Sequence, residues 1–370
     1  MSWLNSTYHI LKDIRMKIFS VVGARPQFIK SAPVSKAIIE AGHQEFKLHT
    51  GQHYDYEMSQ IFFEEMGIPE PAINLGIGSG THAEQTGQML MGIEAALLTQ
   101  KPEVVLVYGD TNSTLAGALA AVKLHIKLAH VEAGLRSYNR LMPEEHNRVL
   151  TDHCSDLLFC PTQTAVDNLT KEGITSGVHM VGDTMYDAVL QFEEIAKRRS
   201  KILTRLKLVP KGYLLTTIHR AYNTDNPEII HSILSAFQQV NDTVIFPIHP
   251  RTLHVIKTAG IMIPDNVKVI DPVGYLDMLI LEKNARMILT DSGGMQKEAY
   301  FFKVPCLTLR SETEWIETVE CGWNRLVGSD PHIIVQAIQK HEWPNETPLY
   351  LFGYGHASEK ITTILTNIRL

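Results

Sequence analysis

One glycine-rich turn in this sequence is suited to bind a phosphate or diphosphate. It follows an apolar run and precedes a predicted helix, and its residues are Asp291, Ser292, Gly293 and Gly294. Glycines let a ligand approach the backbone, and a helix N-terminus offers free N–H groups and the positive end of the helix dipole. A tight turn without a ligand fits the same residues. The phosphate is favoured by basic residues at or near predicted strand ends, which are Arg25, Lys30, Arg220 and Arg251.

Three carboxylates in the first half of the chain are candidates for proton transfer. Asp110 and Glu132 end successive predicted strands, and Glu144 lies in the segment MPEEHNR just before a predicted helix. A carboxylate in a cleft can act as a general acid or base if burial raises its pKa. Asp110 and Glu144 could equally serve as helix-capping acids. Glu132 lies in an apolar strand followed by Ala-Gly, so a structural role explains its carboxylate less well than it explains those of Asp110 and Glu144.

Two of the 17 histidines also end predicted strands. His219 closes the run YLLTTIH and His249 closes TVIFPIH, both in the half that carries the glycine turn. A histidine at a strand end is more often a hydrogen-bond partner than a catalyst. Their position on the predicted phosphate side nevertheless favours contact with an anion.

The elements that must position these residues form a regular pattern. Short apolar strands alternate with amphipathic helices in two series, from KIFSVVG (17–23) to HMVGDT (179–184) and from YLLTTIH (213–219) to PCLTLR (305–310). This alternation predicts an α/β protein with two doubly wound parallel sheets facing each other across a cleft. Ligands of open parallel sheets bind outside the carboxyl ends of the strands, which is where the candidate residues lie.

The length of 370 residues is too great for one compact core and predicts two domains. We assign residues 16–186 to the N-terminal domain, completed by a C-terminal helix over 354–370, and residues 187–353 to the C-terminal domain. Residues 1–15 lack the apolar core and cleavage site of a signal peptide. Because a strand-like run, KIFSVV, begins directly after Met16, residues 1–15 are expected to be an extension before a native start at Met16.

Three local expectations concern the first half. We expect a helix after Pro33 that ends near Gly42, and a helix over YEMSQIFFEEMG (56–67) that stops at its glycine. The polar segment INLGIGSGTHAEQ (73–85) is expected to be a loop.

Composition excludes several classes of protein. With 44% hydrophobic and 20% charged residues, the chain is neither disordered nor fibrous. A net charge of −6 argues against a general nucleic-acid partner, and no apolar run is long enough to cross a membrane. The 4 cysteines form no CxxC pair, which favours reduced thiols in the cytoplasm and no metal site. Neither GxGxxG nor GxxxxGK[ST] follows a strand, so no nucleotide cofactor is predicted.

At this point the residues resemble a known family, the non-hydrolysing UDP-N-acetylglucosamine 2-epimerases. The matching segments run in order over essentially the whole chain after residue 15. They include GARPQFIK (23–30), TGQH (50–53), GDTNSTLAGALAA (109–121), HVEAGLRS (130–137), MPEEHNR (142–148), IHRAYNTDN (218–226), IHPR (248–251), LTDSGGMQKEA (289–299) and TEWIETVECGWNRLVG (313–328). The resemblance implies a GT-B fold of two Rossmann-like domains. It also implies a homodimer that makes precursors of cell-surface polysaccharides without a redox cofactor.

The resemblance implies inversion at carbon 2 of a UDP-linked 2-acetamido sugar, by elimination of UDP to a 2-acetamidoglucal and re-addition. Carried over residue by residue, it gives catalytic roles to four residues, Asp110, Glu132, Glu144 and His219. Which carboxylate removes the proton and which returns it is left open. The resemblance gives substrate-binding roles to Arg25, Lys30, His249, Ser292, Gly293, Gly294 and Glu298, with Glu298 matching the acid that binds the ribose hydroxyls.

The sequence departs from typical bacterial members at several motifs. It has GARPQ for GTRPE, HRAYN for HRREN and TEWIE for TERPE. Gln52, Arg220 and His249 fall where some members bind a second, activating UDP-sugar, and the altered HRAYN context leaves that regulation open. The same departures, with SGGMQKEA, resemble a subgroup acting on UDP-2,3-diacetamido-2,3-dideoxyglucuronate. UDP-N-acetylglucosamine stands first because of the breadth of the family.

Three other functions remain as alternatives. A hydrolysing relative would release free N-acetylmannosamine and UDP. A GT-B glycosyltransferase would share the fold but need an acceptor site. A UDP-sugar sensor without catalysis is disfavoured because all four catalytic matches are intact.

Overall fold

The computed structural model describes residues 15–52, 67, 69–340, 342–344 and 349–368. The expected extension lies outside the described residues except for Arg15, and so does the helix expected over 56–67 except for Gly67.

The first half of the chain forms a sheet of seven parallel strands in the order β3-β2-β1-β4-β5-β6-β7. The strands are β1 (Lys17–Val22), β2 (Gln44–His49), β3 (Ile73–Asn74), β4 (Val104–Tyr108), β5 (Lys127–Val131), β6 (Leu157–Cys160) and β7 (Val178–Met180). Every residue of the central strand β4 is buried. Continuous apolar runs of this kind are typical of strands covered by helices on both faces.

Among its described residues, the helices of this half are α1 (Arg25–Glu40), α2 (His82–Gln100), α3 (Asn112–Lys123), α4 (Pro143–Cys154) and α5 (Gln163–Lys171). The expectation for α1 was wrong at its start. The helix begins at Arg25, with Pro26 in its first turn and Pro33 in its interior. Proline is favoured in a first turn, where its missing N–H has no partner to lose. The segment expected to be a loop contributes the two-residue strand β3, paired with β2.

Two helices, α6 (Thr184–Arg199) and α7 (Ile202–Leu206), lead from the first half into the second. Asp183 caps α6 through its side chain, which accepts a hydrogen bond from the N–H of Met185 at 2.7 Å. Helix α6 packs on α1 and also on helices of the second half. The connection is therefore part of the interface between the halves.

The second half forms a sheet of six parallel strands in the order β10-β9-β8-β11-β12-β13. The strands are β8 (Leu214–Thr217), β9 (Val244–Pro247), β10 (Val267–Ile270), β11 (Met287–Thr290), β12 (Cys306–Thr308) and β13 (Asn324–Leu326). The helices are α8 (Ala221–Thr224), α9 (Pro227–Gln238), α10 (Pro250–Thr258), α11 (Tyr275–Asn284), α12 (Gly293–Phe301), α13 (Ile316–Glu320) and α14 (Pro331–Lys340). The prediction of two doubly wound parallel sheets is confirmed.

The last helix, α15 (Ala357–Thr366), follows a 3-10 turn at Leu349–Phe352 and returns to the first half. It packs against α1 and α6, and the carboxylate of Asp187 accepts the N–H groups of Ala357 and Ser358 at 3.2 and 2.7 Å. The contact with α1 supports our proposal that this helix completes the N-terminal domain, whereas the proposed boundary between residues 186 and 187 falls within α6 and assigns Asp187 to the C-terminal domain.

In both sheets the strand order reverses between the first and fourth strands of the series, β1 and β4 or β8 and β11. A crevice opens at the carboxyl ends of strands where the order reverses in this way. One continuous apolar core includes Ile18 and Val34 from the first half and Leu215 and Ile288 from the second. Across the described ranges, no helix is both long and apolar enough to cross a membrane.

Candidate active site

Polar contacts join the two halves, and three of them involve candidate residues at the level of the strand ends. The Arg25 guanidinium, in the first turn of α1, donates to the Val273 carbonyl at 3.0 Å. The Arg220 guanidinium donates to Glu144 at 3.0 Å. The Lys297 ammonium of α12 donates to Glu132 at 2.8 Å. The candidate residues of the two sequence halves thus meet where the carboxyl ends of the two sheets face each other.

Glu132 follows β5 and is buried, with only 7% of its surface exposed. Its φ of +73° lies in the left-handed region, which costs a residue with a side chain on the order of 1 kcal/mol. One carboxylate oxygen accepts from Lys30 and the other from Lys297. Burial raises the pKa of Glu132, but the ammonium groups of Lys297 and Lys30 outweigh burial and bring that pKa to about 2. The strained backbone holds an ionised carboxylate in the cleft.

Asp110 follows β4 and leaves the capping of α3 to its neighbour. The cap residue is Thr111, whose hydroxyl accepts the N–H of Thr114. The Asp110 carboxylate, 28% exposed, instead accepts a hydrogen bond from the buried Arg148 guanidinium at 2.6 Å. The helix-capping alternative for Asp110 is therefore wrong.

Glu144 and Glu145 lie side by side in the first turn of α4 and have different surroundings. Glu145 is buried and accepts the backbone N–H groups of Ser137 and Tyr138 at 2.9 and 2.8 Å, as well as Arg148 at 2.7 Å. Glu144 is 32% exposed and reaches Arg220 of the other half. Glu145 thus stabilises the loop before α4, and Glu144 faces the cleft.

His219 is held by Asp291, the first residue of the glycine turn. The fully buried Asp291 carboxylate accepts the backbone N–H groups of His219 and Arg220, each at 3.0 Å. It also accepts the Asn223 amide at 3.0 Å. The Nδ1 atom of His219 lies 3.2 Å from an Asp291 oxygen, and the His219 side chain is 45% exposed. The imidazole is thereby oriented on one side and open to the cleft on the other.

The glycine turn leads into α12 as predicted, with Ser292 as the cap residue. A Cβ atom on Gly293 would lie 2.2 Å from a carboxylate oxygen of Glu314, so a side chain at this position would displace that carboxylate. A Cβ atom on Gly294 would approach other atoms no nearer than 3.8 Å, at the Ser292 hydroxyl oxygen. The helix N-terminus is therefore uncovered at Gly294. Burial raises the pKa of Glu314, but Arg310, Arg148 and Arg220 outweigh burial and bring that pKa to about 2.

Glu298, five residues beyond the turn's first glycine, is buried on α12. The Tyr275 hydroxyl donates to one of its oxygens at 3.0 Å. Burial raises the pKa of Glu298 despite that hydrogen bond. Burial also raises the pKa of the neighbouring Glu282 well above its usual range. This region of the second half holds carboxyl groups that bind protons more tightly than usual.

The three residues matched to a second UDP-sugar site make different contacts. The side-chain amide oxygen of Gln52 accepts a hydrogen bond from the hydroxyl of Ser113 at 2.7 Å, within the first half. Arg220 crosses the cleft to Glu144. The exposed His249 caps α10, its Nδ1 accepting the N–H of Arg251 at 3.2 Å. Lys30, matched to the nucleotide site, is bound to Glu132 instead of facing the glycine turn.

Sequence reasoning missed three buried charged residues, Lys297, Asp183 and Arg148. Lys297 contacts Glu132 and Arg148 contacts Asp110, while Asp183 binds Lys297. A buried cation inside a helix gives no periodic signal, although the position of Lys297 in the helix after the glycine turn was a clue. Across the chain as far as it is described, no group of three or more metal-binding side chains could hold a metal ion.

Known proteins are similar to this chain over most of its length. The family model described as UDP-N-acetylglucosamine 2-epimerase matches residues 37–366. A Methanococcus maripaludis protein named UDP-N-acetylglucosamine 2-epimerase homolog is 57% identical over 358 residues, covering 95% of this chain and 100% of the relative. The UDP-2,3-diacetamido-2,3-dideoxy-D-glucuronate 2-epimerase of Pseudomonas aeruginosa is 49% identical over 361 residues, covering 95% of this chain and 100% of the relative.

A solved structure of the Methanocaldococcus jannaschii UDP-GlcNAc 2-epimerase, in complex with UDP-GlcNAc and UDP, superposes with a TM-score of 0.88. It is 47% identical and covers 95% of this chain and 99% of its own. The predicted GT-B arrangement of two Rossmann-like domains is confirmed by this likeness. The extent of these matches shows that the chain belongs to the UDP-N-acetylglucosamine 2-epimerase family.

Proposed function

We propose that this protein is an isomerase that interconverts UDP-N-acetylglucosamine and UDP-N-acetylmannosamine. The observation that carries the proposal is the meeting of two kinds of group across one cleft. Carboxylates of the first half lie opposite a helix N-terminus and an oriented imidazole of the second, joined by the 3.0 Å contact between Glu144 and Arg220. The groups that transfer protons and the groups that bind the diphosphate must act on the same UDP-sugar molecule.

In the proposed reaction a carboxylate takes the proton from carbon 2 of the sugar. The C1–O bond to UDP then breaks, and the electron pair of the C–H bond becomes the C1=C2 double bond of 2-acetamidoglucal. UDP stays bound, and a proton returns to carbon 2 from the opposite face as UDP adds to carbon 1. Water must be excluded while the glucal exists, which a clamp of two domains provides.

The surroundings of the carboxylates support a division of labour. Glu132, with its pKa of about 2, is ionised at neutral pH and cannot supply a proton. We therefore propose that Asp110 or Glu144 returns the proton to carbon 2. Both are partly open to the cleft, with 28% and 32% of their side chains exposed.

We propose that the diphosphate binds at Ser292, Gly293 and Gly294, where the N-terminus of α12 is uncovered. As an imidazolium with Nδ1 facing Asp291, His219 would donate its Nε2–H to the departing diphosphate, whose negative charge would offset the burial that lowers the pKa of His219. Glu298 would accept the ribose hydroxyls, while Arg25 and His249 would contact the nucleotide from the two sides of the cleft. By family resemblance we also propose a cytoplasmic homodimer that supplies precursors of surface polysaccharides.

The decisive experiment is incubation with UDP-N-acetylglucosamine in heavy water. We expect deuterium at carbon 2 of the recovered UDP-sugar and the appearance of UDP-N-acetylmannosamine by proton NMR. Glu132→Gln should lower deuterium exchange at carbon 2. The control is Lys283→Gln, which removes an ion pair with Glu193 on α6 and should leave the exchange unchanged. Absence of exchange in the wild-type protein would refute the proposal. Free N-acetylmannosamine would instead indicate a hydrolase, and turnover only with an added acceptor would indicate a glycosyltransferase.

UDP-2,3-diacetamido-2,3-dideoxyglucuronate is the second candidate substrate. The observation that favours it is the 49% identity with the Pseudomonas aeruginosa enzyme named for that sugar. The Methanocaldococcus jannaschii UDP-N-acetylglucosamine 2-epimerase is 47% identical, so identity does not separate the two. The same exchange assay, run in parallel with both UDP-sugars at equal concentration, compares kcat/KM directly.

A further inference from the structure

Lys297 is the most completely enclosed ammonium group beside the cleft. Its side chain is 1% exposed and makes three contacts. It donates to Glu132 at 2.8 Å and to Asp183 at 2.6 Å, and its ammonium nitrogen lies 3.8 Å from the ring centroid of Trp315. Two carboxylates and an aromatic face compensate for the burial of its charge.

These contacts come from three parts of the molecule. Lys297 lies on α12 of the second half, and Glu132 follows β5 of the first half. Asp183 caps α6, the helix that connects the halves. The lysine therefore links the candidate catalytic carboxylate to the opposite half, while Lys30 on α1 binds the other oxygen of Glu132 from within its own half.

Trp315 explains one departure noted in the sequence. Typical bacterial members have arginine in TERPE where this chain has tryptophan in TEWIE. A guanidinium at that place would repel the Lys297 ammonium, whereas the tryptophan face attracts it. Trp315, which departs from the typical motif, is thus suited to pack against the Lys297 ammonium.

We propose that Lys297 is a positioning residue for Glu132. From the opposite half, the Lys297 ammonium fixes one carboxylate oxygen of Glu132, so Glu132 is fully oriented only when the cleft is closed. The expected change in kcat rests on the proposed function. The expected change in the pKa of Glu132 does not. Loss of Lys297 would leave Glu132 paired with Lys30 alone, and Asp183 and Glu132 would lose their shared cation.

The electrostatic consequence follows from the groups that face Glu132, which are Lys30 of α1 and Lys297 of α12, with Asp183 beyond the latter. Removing one adjacent cation from a buried carboxylate raises its pKa by about 1 to 3. In Lys297→Gln we therefore expect Glu132 to titrate between about pH 3 and 5, compared with about 2 in the wild-type protein.

The test combines a carboxyl titration with kinetics. In protein labelled with ¹³C-carboxyl glutamate, and with the Glu132 signal assigned by Glu132→Gln, the wild-type signal should stay nearly constant from pH 8 to 3. It should move within that range in Lys297→Gln. The kcat of Lys297→Gln should fall about 10- to 100-fold, with little change in KM and with its acid limb moved to higher pH. Lys297→Arg should recover part of kcat.

A second variant separates positioning from simple charge balance. In the double variant Asp183→Asn/Lys297→Gln the unpaired carboxylate is removed, and the amide oxygen introduced with the first substitution can still cap α6. If Lys297 only balanced buried charge, this variant would regain wild-type kcat. Positioning predicts that kcat stays low while the thermal stability recovers. Lys283→Gln again serves as the control lysine.

The outcomes are distinct. An unmoved Glu132 signal together with unchanged kcat in Lys297→Gln would overturn the inference while leaving the proposed function intact. A wild-type protein inactive on both UDP-sugars would refute the proposed function, and the carboxyl titration would still decide whether Lys297 controls Glu132.

Discussion

Replacement of Arg148 by methionine tests the electrostatics of the site most directly. Arg148 is 2% exposed and donates to Glu145 at 2.7 Å and to Asp110 at 2.6 Å. Removing one partner of a buried ion pair costs about 3–5 kcal/mol, because a charge is left without compensation. The Asp110 side chain is 28% exposed, so solvent screens its ion pair with Arg148, and this pair contributes little to the free energy of unfolding. Glu145 keeps its backbone N–H donors, so we expect a loss of about 3 kcal/mol in the free energy of unfolding.

The assay is urea denaturation at pH 7, followed by tryptophan fluorescence, for Arg148→Met, Glu145→Gln and the double variant. If the cost comes from an uncompensated Glu145 carboxylate, the double variant should recover about 2 kcal/mol relative to Arg148→Met. A loss below about 1 kcal/mol, or strictly additive effects of the two changes, would refute the reasoning. The kcat of Arg148→Met should also fall, because Asp110 loses the donor that orients it.

Three further predictions concern the second half and the acid range. Gly293→Ala should weaken UDP binding by at least about tenfold in calorimetry, because its Cβ atom would lie 2.2 Å from the Glu314 carboxylate. Asp291→Asn should lower kcat and destabilise the fold by about 1–3 kcal/mol, since the buried carboxylate accepts three donors around His219; unchanged kcat would contradict that role. Glu132 and Glu314 have pKa values of about 2 in the folded protein, below the value of about 4.3 for an unfolded glutamate. Each contributes on the order of 3 kcal/mol that is present above pH ~4.3 and lost as pH falls toward 2. The stability difference between wild type and Glu314→Gln should therefore shrink from pH 6 to pH 3, and a constant difference would show that Glu314 is not held ionised.

The strand-end residues could be predicted because their positions depend on local pattern. Asp110 and Glu132 follow buried runs of β-branched and apolar residues, and parallel strands bring their carboxyl ends to one edge of the sheet. The same reasoning located the turn at Asp291. Periodicity and strand ends are short-range features, so a single sequence carries them fully.

What could not be predicted depends on contacts between distant residues. The partners of Lys297 are 165 and 114 positions away along the chain. The pKa of Glu132 therefore moves opposite to the expectation from burial alone. The positive φ of Glu132 leaves no trace in its residue type. Pro33 misled the helix prediction because tertiary packing of α1 outweighs the lost hydrogen bond of an interior proline.

The return of α15 to the first half bears on how the chain folds during synthesis. Ala357, Ile361 and Leu365 belong to the same apolar core as Val34 and Ile38 of α1. The first half of the chain therefore lacks part of its apolar core until α15 has been translated. Domains generally fold in order from the N-terminus, but here the core around α1 is completed only after the second half has been synthesised.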